Sequence, residues 1–143
     1  MRYLAIDLGD RRTGLAVGDD ETGLASPLCV LECAPEQLAD RLAGAVEDHG
    51  PDALVVGLPL NMDGSEGPRA KGARVVGAAL AERFARPVHY QDERLTSFAA
   101  EGHLARSGHT RLGKKRRLDA LAAAEILRDF LDERRSEPPA DSA

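Results

Sequence analysis

Aromatic residues are scarce in this chain of 143 residues, which has three Phe, two Tyr and no Trp. Nucleic-acid modules such as RRM and OB domains stack bases on exposed aromatic side chains. With so few aromatic residues, that kind of binding platform is not expected. Hydrophobic residues make up 43% and charged residues 30%, so the composition is that of one globular domain with a substantial core.

Cysteine is also rare, and long apolar runs are absent. In an extended strand the Cα atoms of Cys29 and Cys33 would be about 13 Å apart, whereas a disulfide spans less than about 7 Å. We therefore expect two small buried thiols in a reducing compartment. Neither a signal peptide nor an apolar run of about 20 residues, the length of a membrane span, is found. The sequence thus predicts a cytoplasmic protein without a membrane partner.

The positive charge is concentrated in one segment of an acidic chain. The formal net charge is −5. Residues 102–118 contain no acid but six cations, so the rest of the chain carries −11, which is −5 less those six positive charges. We call this stretch the basic segment; its cations are Arg106, Arg111, Lys114, Lys115, Arg116 and Arg117. Such a run indicates either a polyanion-binding surface or a solvated loop.

Hydrophobic periodicity predicts an α/β fold with a five-stranded mixed sheet and helices on both faces. Strands are predicted at 2–8, 13–17, 24–32, 53–58 and 87–91, and helices at 35–49, 69–85, 96–108 and 117–135. The first three strands, joined by short turns, form an antiparallel meander with Pro27 on an edge strand. Strands 4 and 5 each follow a helix and are therefore expected parallel to strand 1. The domain covers residues 1–135; residues 109–115 form a basic loop and 136–143 a disordered acidic tail.

Two acids follow apolar strands at the edge where open α/β sheets place their sites. Asp7 ends the first strand before Gly9, and Glu93 comes with Asp92 directly after the fifth. The structural alternative for Asp7 is a turn-forming aspartate. For Asp92 and Glu93 it is a salt-bridged strand end or part of the cap region of the next helix.

A third acid lies on the apolar side of the last predicted helix. At about 100° per residue, Asp119 falls between Ile126 and Phe130, whereas Glu125 and Asp132 fall on the opposite, wet side. A carboxylate on a buried face is costly unless it is paired, protonated or bound to a metal. The alternative is an acid in the first helical turn, where the helix dipole favours it.

Three carboxylates converging beside a basic segment suit metal-assisted hydrolysis of phosphodiesters. Hard divalent cations such as Mg²⁺ or Mn²⁺ take oxygen ligands and share them with substrate phosphates. Bound metal activates water and stabilises the leaving oxygen, while cationic side chains hold the polyanion.

Four ordered motifs closely resemble the YqgF/RuvX family. They are LAIDLGDRRTG at 4–14, VVGLPLNMDG at 55–64, DERLTS at 92–97 and KRRLDALAAAEIL at 115–127. The resemblance covers residues 1 to about 131 and implies an RNase H-like fold. Members are described as Holliday junction resolvases, which act in DNA recombination and repair, and as nucleases for the 5′ end of pre-16S rRNA, a step of ribosome biogenesis.

The resemblance implies a metal-dependent endonuclease, a hydrolase with Asp7, Glu93 and Asp119 as catalytic metal ligands. Its partner would be branched DNA or structured RNA, and symmetric cutting of a junction would need a homodimer. The nucleic-acid-binding residues expected from the basic segment are Arg111, Lys114, Lys115, Arg116 and Arg117. The chain departs from many RNase H-like nucleases in having no acid at the end of strand 4, and it has Ala122 where resolvases of the RuvC type tend to have a metal-site residue. Asp63, Glu66 and Asp92 are candidate helpers.

Other functions remain open at this point. A non-catalytic nucleic-acid-binding or protein-binding module could keep the scaffold without the chemistry. The first motif also resembles the phosphate loop of actin-like ATPases and sugar kinases, but those need two such domains. Residues 108–115 nearly match a Walker A loop, yet they lack its hydroxyl residue and follow a predicted helix instead of a strand.

Overall fold

The computed structural model describes residues 1–93 and 111–136, and it describes side chains for residues 1–93 and 120–134. The strands are β1 (Arg2–Leu8), β2 (Arg12–Asp19), β3 (Ala25–Glu32), β4 (Ala53–Leu58) and β5 (Val88–Asp92). The helices are α1 (Leu38–His49), entered through a 3₁₀ turn at Pro35–Gln37, α2 (Pro68–Phe84) and α3 (Arg111–Ser136).

The five strands form one mixed sheet in the order β3-β2-β1-β4-β5. β1 pairs antiparallel with β2, and β2 pairs antiparallel with β3. β4 runs parallel to β1, and β5 runs parallel to β4. The prediction of a three-stranded meander followed by two parallel strands is confirmed, and β3, which contains Pro27, lies at an edge. A bulge interrupts the β2–β3 register, so that Leu15 pairs with Cys29 and Ala16 pairs with Pro27.

Alternation of side chains along the strands gives the sheet two buried faces. Leu4 and Ile6 of β1 pack with buried residues of α1 and α2, and we call this the α1/α2 face. Tyr3 and Ala5 of β1 pack with buried residues of α3, and we call this the α3 face. Because a strand points successive residues to opposite sides, every other residue of each central strand belongs to one face.

Helix α3 covers the second face as the sequence pattern predicts. Its buried side chains include Ala123, Ile126, Leu127 and Phe130. The Phe130 ring packs edge-on against Tyr3 at 5.1 Å between centroids. Small alanines on this helix let its backbone come close to the sheet.

Two sequence predictions on local structure are wrong. Residues 111–115 were assigned to a basic loop, but α3 already begins at Arg111. The helix contains Gly113, and one interior glycine costs only about 1 kcal/mol, which a long packed helix tolerates. Cys29 is exposed instead of buried, because it lies on the edge strand, which lacks a neighbour on one side.

The remaining local predictions lie outside the described residues. These are the helix over 96–108, which includes Arg106, and the tail after Ser136. Within the described part of the chain, no helix is long and apolar enough to cross a membrane.

Candidate active site

Two of the three predicted acids meet at the carboxyl end of the parallel strands. Asp7 is the penultimate residue of β1. Glu93 directly follows β5, and its backbone N–H donates to the carbonyl oxygen of Leu58, the last residue of β4, at 3.3 Å. β1 and β5 both run parallel to β4, which lies between them. Parallel strands end at the same edge of a sheet, so the fold delivers both carboxyl groups to one place.

The same two acids lie on the same face of the sheet. Asp7 follows Tyr3 and Ala5 at alternate positions of β1, so it belongs to the α3 face. Glu93 continues the alternation of His89, whose ring lies 5.2 Å from that of Phe130 on α3. The site is therefore enclosed between the end of the sheet and helix α3.

Gly57 of β4 provides the gap through which the two acids meet. A Cβ atom built on Gly57 would overlap Oε2 of Glu93 and lie 2.8 Å from Cδ1 of Ile126. The Glu93 side chain thus occupies the space that any larger residue at this position would fill. The absence of an acid at the end of β4, a departure from many related nucleases, has this physical consequence: β4 contributes space instead of a ligand.

The carboxyl groups of Asp7 and Glu93 are hydrogen-bonded to each other. Burial raises the pKa of Glu93, and the negative charge of Asp92 acts in the same direction. The hydrogen bond with Asp7 and the positive charge of Arg69 oppose that rise in the pKa. Two carboxyl groups in contact must share a proton or a cation, since two bare carboxylates repel.

This donor set fits a hard divalent cation. Two adjacent carboxyl groups supply only oxygen ligands, the kind that Mg²⁺ and Mn²⁺ prefer. The cleared position at Gly57 leaves Glu93 free to turn toward Asp7. Among the described residues no cluster of three or more His, Cys, Asp or Glu side chains forms a complete metal site.

The third predicted ligand, Asp119, lies on α3, but its side chain is outside the described ones. Its backbone is seven residues before Ile126, which is two helical turns. Asp119 thus starts from the same stripe of the helix as the residue that contacts the Gly57 position. Its role as a ligand stays a prediction.

The three candidate helpers occupy different surroundings. Both carboxylate oxygens of Glu66 accept hydrogen bonds from Arg74, at 2.6 and 2.9 Å. Oδ1 of Asp63 accepts from the backbone N–H and the hydroxyl of Ser65. Asp92 is the helper that acts electrostatically on Glu93. Glu66 and Asp63 hold the loop between β4 and α2 in shape.

Two arginines near the site were not singled out from the sequence. Arg69 lies in the first turn of α2 and acts on Glu93. Arg12 begins β2 on the same face as Gly14, the pairing partner of Asp7, and its Nη1 atom is buried with no hydrogen-bond partner among the described residues. Arginine is the commonest cation in this sequence, so neither residue stood out; strand parity could have selected Arg12.

The structure places part of the basic segment at the beginning of α3. The backbone of Arg111, Lys114, Lys115, Arg116 and Arg117 lies in the first two turns of that helix, and their side chains are outside the described ones. Their contact with nucleic acid stays a prediction.

Comparison with known proteins settles the family. The profile of the RuvX family, described as Holliday junction resolvase, matches residues 1–133. The chain belongs to the RuvX family. A relative from Azotobacter vinelandii is 44% identical over 92% of this chain and 93% of its own length. One from Chloroflexus aurantiacus is 40% identical over 94% of this chain and 89% of its own length. Both carry the name "Putative pre-16S rRNA nuclease".

Solved structures of low sequence identity share the fold of this RuvX chain. RuvC of Thermus thermophilus in complex with a Holliday junction substrate matches this chain with a TM-score of 0.56 at 19% identity. The match covers 95% of this chain and 97% of the RuvC chain. The fowlpox virus resolvase bound to Holliday junction DNA matches with a TM-score of 0.58 at 12% identity. That match covers 93% of this chain and 98% of the resolvase chain. The RNase H-like fold expected from the sequence motifs is thereby confirmed. The descriptions of the family and of its relatives are those of nucleases.

Proposed function

We propose that this protein is a divalent-metal-dependent endonuclease that hydrolyses phosphodiester bonds in structured nucleic acid. The observation that carries the proposal is the contact of Asp7 with Glu93 at the carboxyl end of the parallel strands. A partly buried pair of carboxyl groups in contact is expensive for a fold that uses it only structurally. In a family of nucleases, a metal site explains why the pair is kept.

Asp7, Glu93 and Asp119 would hold Mg²⁺ or Mn²⁺. When bound, the metal supplies a nucleophilic water and neutralises charge on the phosphate. Asp7 is fixed by the β1 ladder and Glu93 by its backbone bond to Leu58, so both carboxyl groups are oriented by rigid elements. Ile126 borders the gap at Gly57 and excludes water from that side of the pair.

Cations around the acids would hold the substrate. The basic segment contacts successive phosphates of the backbone and supplies affinity without reading sequence. Arg69 lies within electrostatic range of Glu93 and contacts substrate closer to the chemistry. Its charge favours an approaching phosphate that two carboxylates alone would repel.

The 5′ end of pre-16S rRNA is the first candidate substrate. The relatives at 40% and 44% identity, which match this chain over most of their length, are named as putative pre-16S rRNA nucleases. Holliday junction DNA is the second, because it is the description of the family profile that matches the chain. Resolution of a junction requires two symmetric cuts and therefore a homodimer. We propose a cytoplasmic location, the compartment that holds both substrates.

The test offers both substrates side by side to the purified protein with Mg²⁺, Mn²⁺ or Ca²⁺. We expect metal-dependent cleavage of the pre-rRNA leader at a defined position, and loss of cleavage in Asp7→Asn. Cleavage of the four-way junction alone would select the second substrate. Tight binding of either substrate without cleavage under any metal would contradict the proposal and favour the non-catalytic module.

A further inference from the structure

A cavity of about 280 Å³ opens beside the candidate active site, on the α1/α2 side of the sheet. Leu8 and Thr13 of the β1–β2 hairpin form its floor, Pro35 and Leu38 form one wall, and α2 forms the opposite wall. Leu8 is the neighbour of Asp7 in the chain and points to the other face. The cavity and the acid pair thus lie on either side of the same strand end.

Arg69 links the cavity to the acids. It lines the cavity, and its charge acts on Glu93. Among the described residues that line the cavity, Asp10 is the one acid, so Arg69 faces a single opposite charge within that lining. An anion bound by Arg69 would therefore lie between the acid pair and the cavity.

The walls of the cavity are mostly apolar and its frame is rigid. Leu38 and Ala73 belong to the hydrophobic core, and Thr13 is only 4% exposed. The backbone N–H of Cys33 donates to the carbonyl oxygen of Arg11 at 3.1 Å, which ties the approach to α1 to the β1–β2 turn. A preformed apolar space with one cation at its edge suits a flat, apolar group attached to an anion.

The size of the cavity limits its occupant to one small group. Its volume of about 280 Å³ lies just below the range of pockets that hold drug-sized ligands. A base-paired duplex cannot enter such a space, but one unstacked nucleobase can. Enzymes that modify bases show that a protein can hold one nucleotide outside the stack in a fitted pocket.

We propose that this cavity binds one unstacked nucleobase of the substrate strand, from a nucleotide adjoining the scissile phosphate, with Arg69 holding the phosphate between base and acids. The inference rests on the proposed nuclease function and adds a subsite to it. The substrate strand then crosses the carboxyl edge of the sheet, with its reacting phosphate at Asp7 and Glu93 and one base on the opposite face.

Gly72 gives a clean way to close the cavity. It lines the space, and a Cβ atom built there would have no atom of a described residue within 4 Å. Gly72→Leu therefore fills the opening without a clash and improves helix propensity. Gly44 of α1 is the matched control, because it is also a helical glycine whose Cβ would meet no atom within 4 Å in the described part of the chain, and it does not line the cavity.

The first experiment measures cleavage of a substrate whose cut position has been mapped with the parent protein. An abasic nucleotide is placed on either side of that phosphate, one side at a time. We expect one abasic position to slow cleavage by about 10-fold, the scale of one base contact. Gly72→Leu should slow the intact substrate to a similar extent and add nothing on the abasic one, whereas Gly44→Leu should change neither rate.

The second experiment measures binding without cleavage, in metal-free buffer. The four ribonucleoside 5′-monophosphates and inorganic phosphate are titrated separately while amide signals of Leu8, Thr13 and Ala73 are followed by NMR. The base subsite is supported if these amide signals shift with a nucleotide but not with inorganic phosphate. The shifts should be lost in Gly72→Leu and kept in Gly44→Leu. Arg69→Gln should weaken nucleotide binding and leave the melting temperature unchanged.

Three results would overturn the inference. One is equal binding of nucleotides and inorganic phosphate, and another is unchanged nucleotide binding in Gly72→Leu. The third is nucleotide binding at the cavity with no abasic effect at either position, which would mean that the cavity takes a free nucleotide instead of the substrate. If the protein cleaves neither candidate substrate, the proposed function fails, but the NMR titration still reports separately on the cavity.

Discussion

The two ends of the sheet both carry acids, but the partners of these acids differ and shift their pKa values in opposite directions. At the amino end of β1, Asp20 accepts a hydrogen bond from the terminal amine at 2.8 Å, and Asp19 accepts from the backbone N–H of Thr22 at 2.7 Å. These donors lower the pKa of both aspartates. At the carboxyl end, burial raises the pKa of Glu93, whose carboxyl partner is another acid.

The difference shows which acids serve the fold. An acid that accepts from amines or amides stabilises the local chain, and its structural role explains its presence. Two acids in contact at a partly buried position cost free energy, so the pair needs a different explanation. Residue type and strand position alone do not separate the two ends; the identity of the partner does.

The largest expected effect comes from removing either acid of the pair. Asp7→Asn and Glu93→Gln should each lower metal-dependent cleavage by about 100-fold or more, since residues that only orient metal ligands already cost about 10- to 100-fold. Substrate affinity should hold, because neither change removes a cation. Cleavage rates and binding are measured on the same labelled substrate. Asp119→Asn belongs to the same series, and cleavage at the parental rate would remove it from the site.

The same series contains a stability readout that separates the two ends. In metal-free buffer at neutral pH, Glu93→Gln should raise the melting temperature, because it removes a partly buried charge that has an acid as partner. Asp20→Asn should lower the melting temperature and leave cleavage unchanged, because its partners are an amine and a hydroxyl. If the melting temperature drops in both variants, the acids at the two ends do not differ in their effect on stability, which contradicts the contrast drawn above.

The second effect tests the gap between the acids. Gly57→Ala should destabilise the protein by about 1–3 kcal/mol, the usual cost of overpacking, and should also displace the Glu93 carboxyl group. Gly18→Ala is the matched control near the other end, where a Cβ would overlap the carbonyl oxygen of Leu24. Denaturant unfolding should show a loss in both variants, but cleavage per folded molecule should fall only for Gly57→Ala.

Much of this architecture could be read from the sequence, for a physical reason. Buried parallel strands are continuous apolar runs, so β4 was predicted with the bounds that the structure shows. Asp7 and Glu93 stood out because a charge directly after such a run is unusual. The gap at Gly57 did not, because a glycine carries no chemistry and its importance depends on Glu93, which is 36 residues away in the chain.

The errors share a different cause, which is that local signals were given too much weight. Residues 109–115 were predicted as a basic loop, but the helix that contains residues 111–115 is held by tertiary contacts further along, at Ile126 and Phe130. Arg69 drew no attention because its position near Glu93 arises from the packing of α2 beside β4. Such residues are found only once the strand order is known.

The third effect concerns affinity instead of rate. Replacing Lys114, Lys115, Arg116 and Arg117 with Ala should weaken binding to every nucleic acid and reduce the slope of log K against log salt by up to about 3.6, from about 0.9 per lost phosphate contact. Arg2, an exposed cation at the amino end of the sheet, supplies the control. Arg2→Ala should leave the slope unchanged, and an unchanged slope in the four-Ala variant would show that the basic segment does not contact substrate.

The smallest effect is a pH dependence at the amino end. Hydrogen bonds from Thr22 hold the pKa of Asp19 below its ordinary value, so the ionised form is favoured by folding. The stability that Asp19 contributes is therefore fully present above its ordinary pKa, about 4, and is lost as the pH falls through the lower folded value. Asp19→Ala should melt at a lower temperature than the parent at pH 7, and the difference should shrink below about pH 4. Thr22→Val, which removes the hydroxyl that donates to Asp19 at 3.0 Å, should reproduce part of the change. Because the site lies at the far end of the sheet, both variants should cleave at the parental rate, and a cleavage defect in a well-folded Asp19→Ala protein would show that the two ends are not independent.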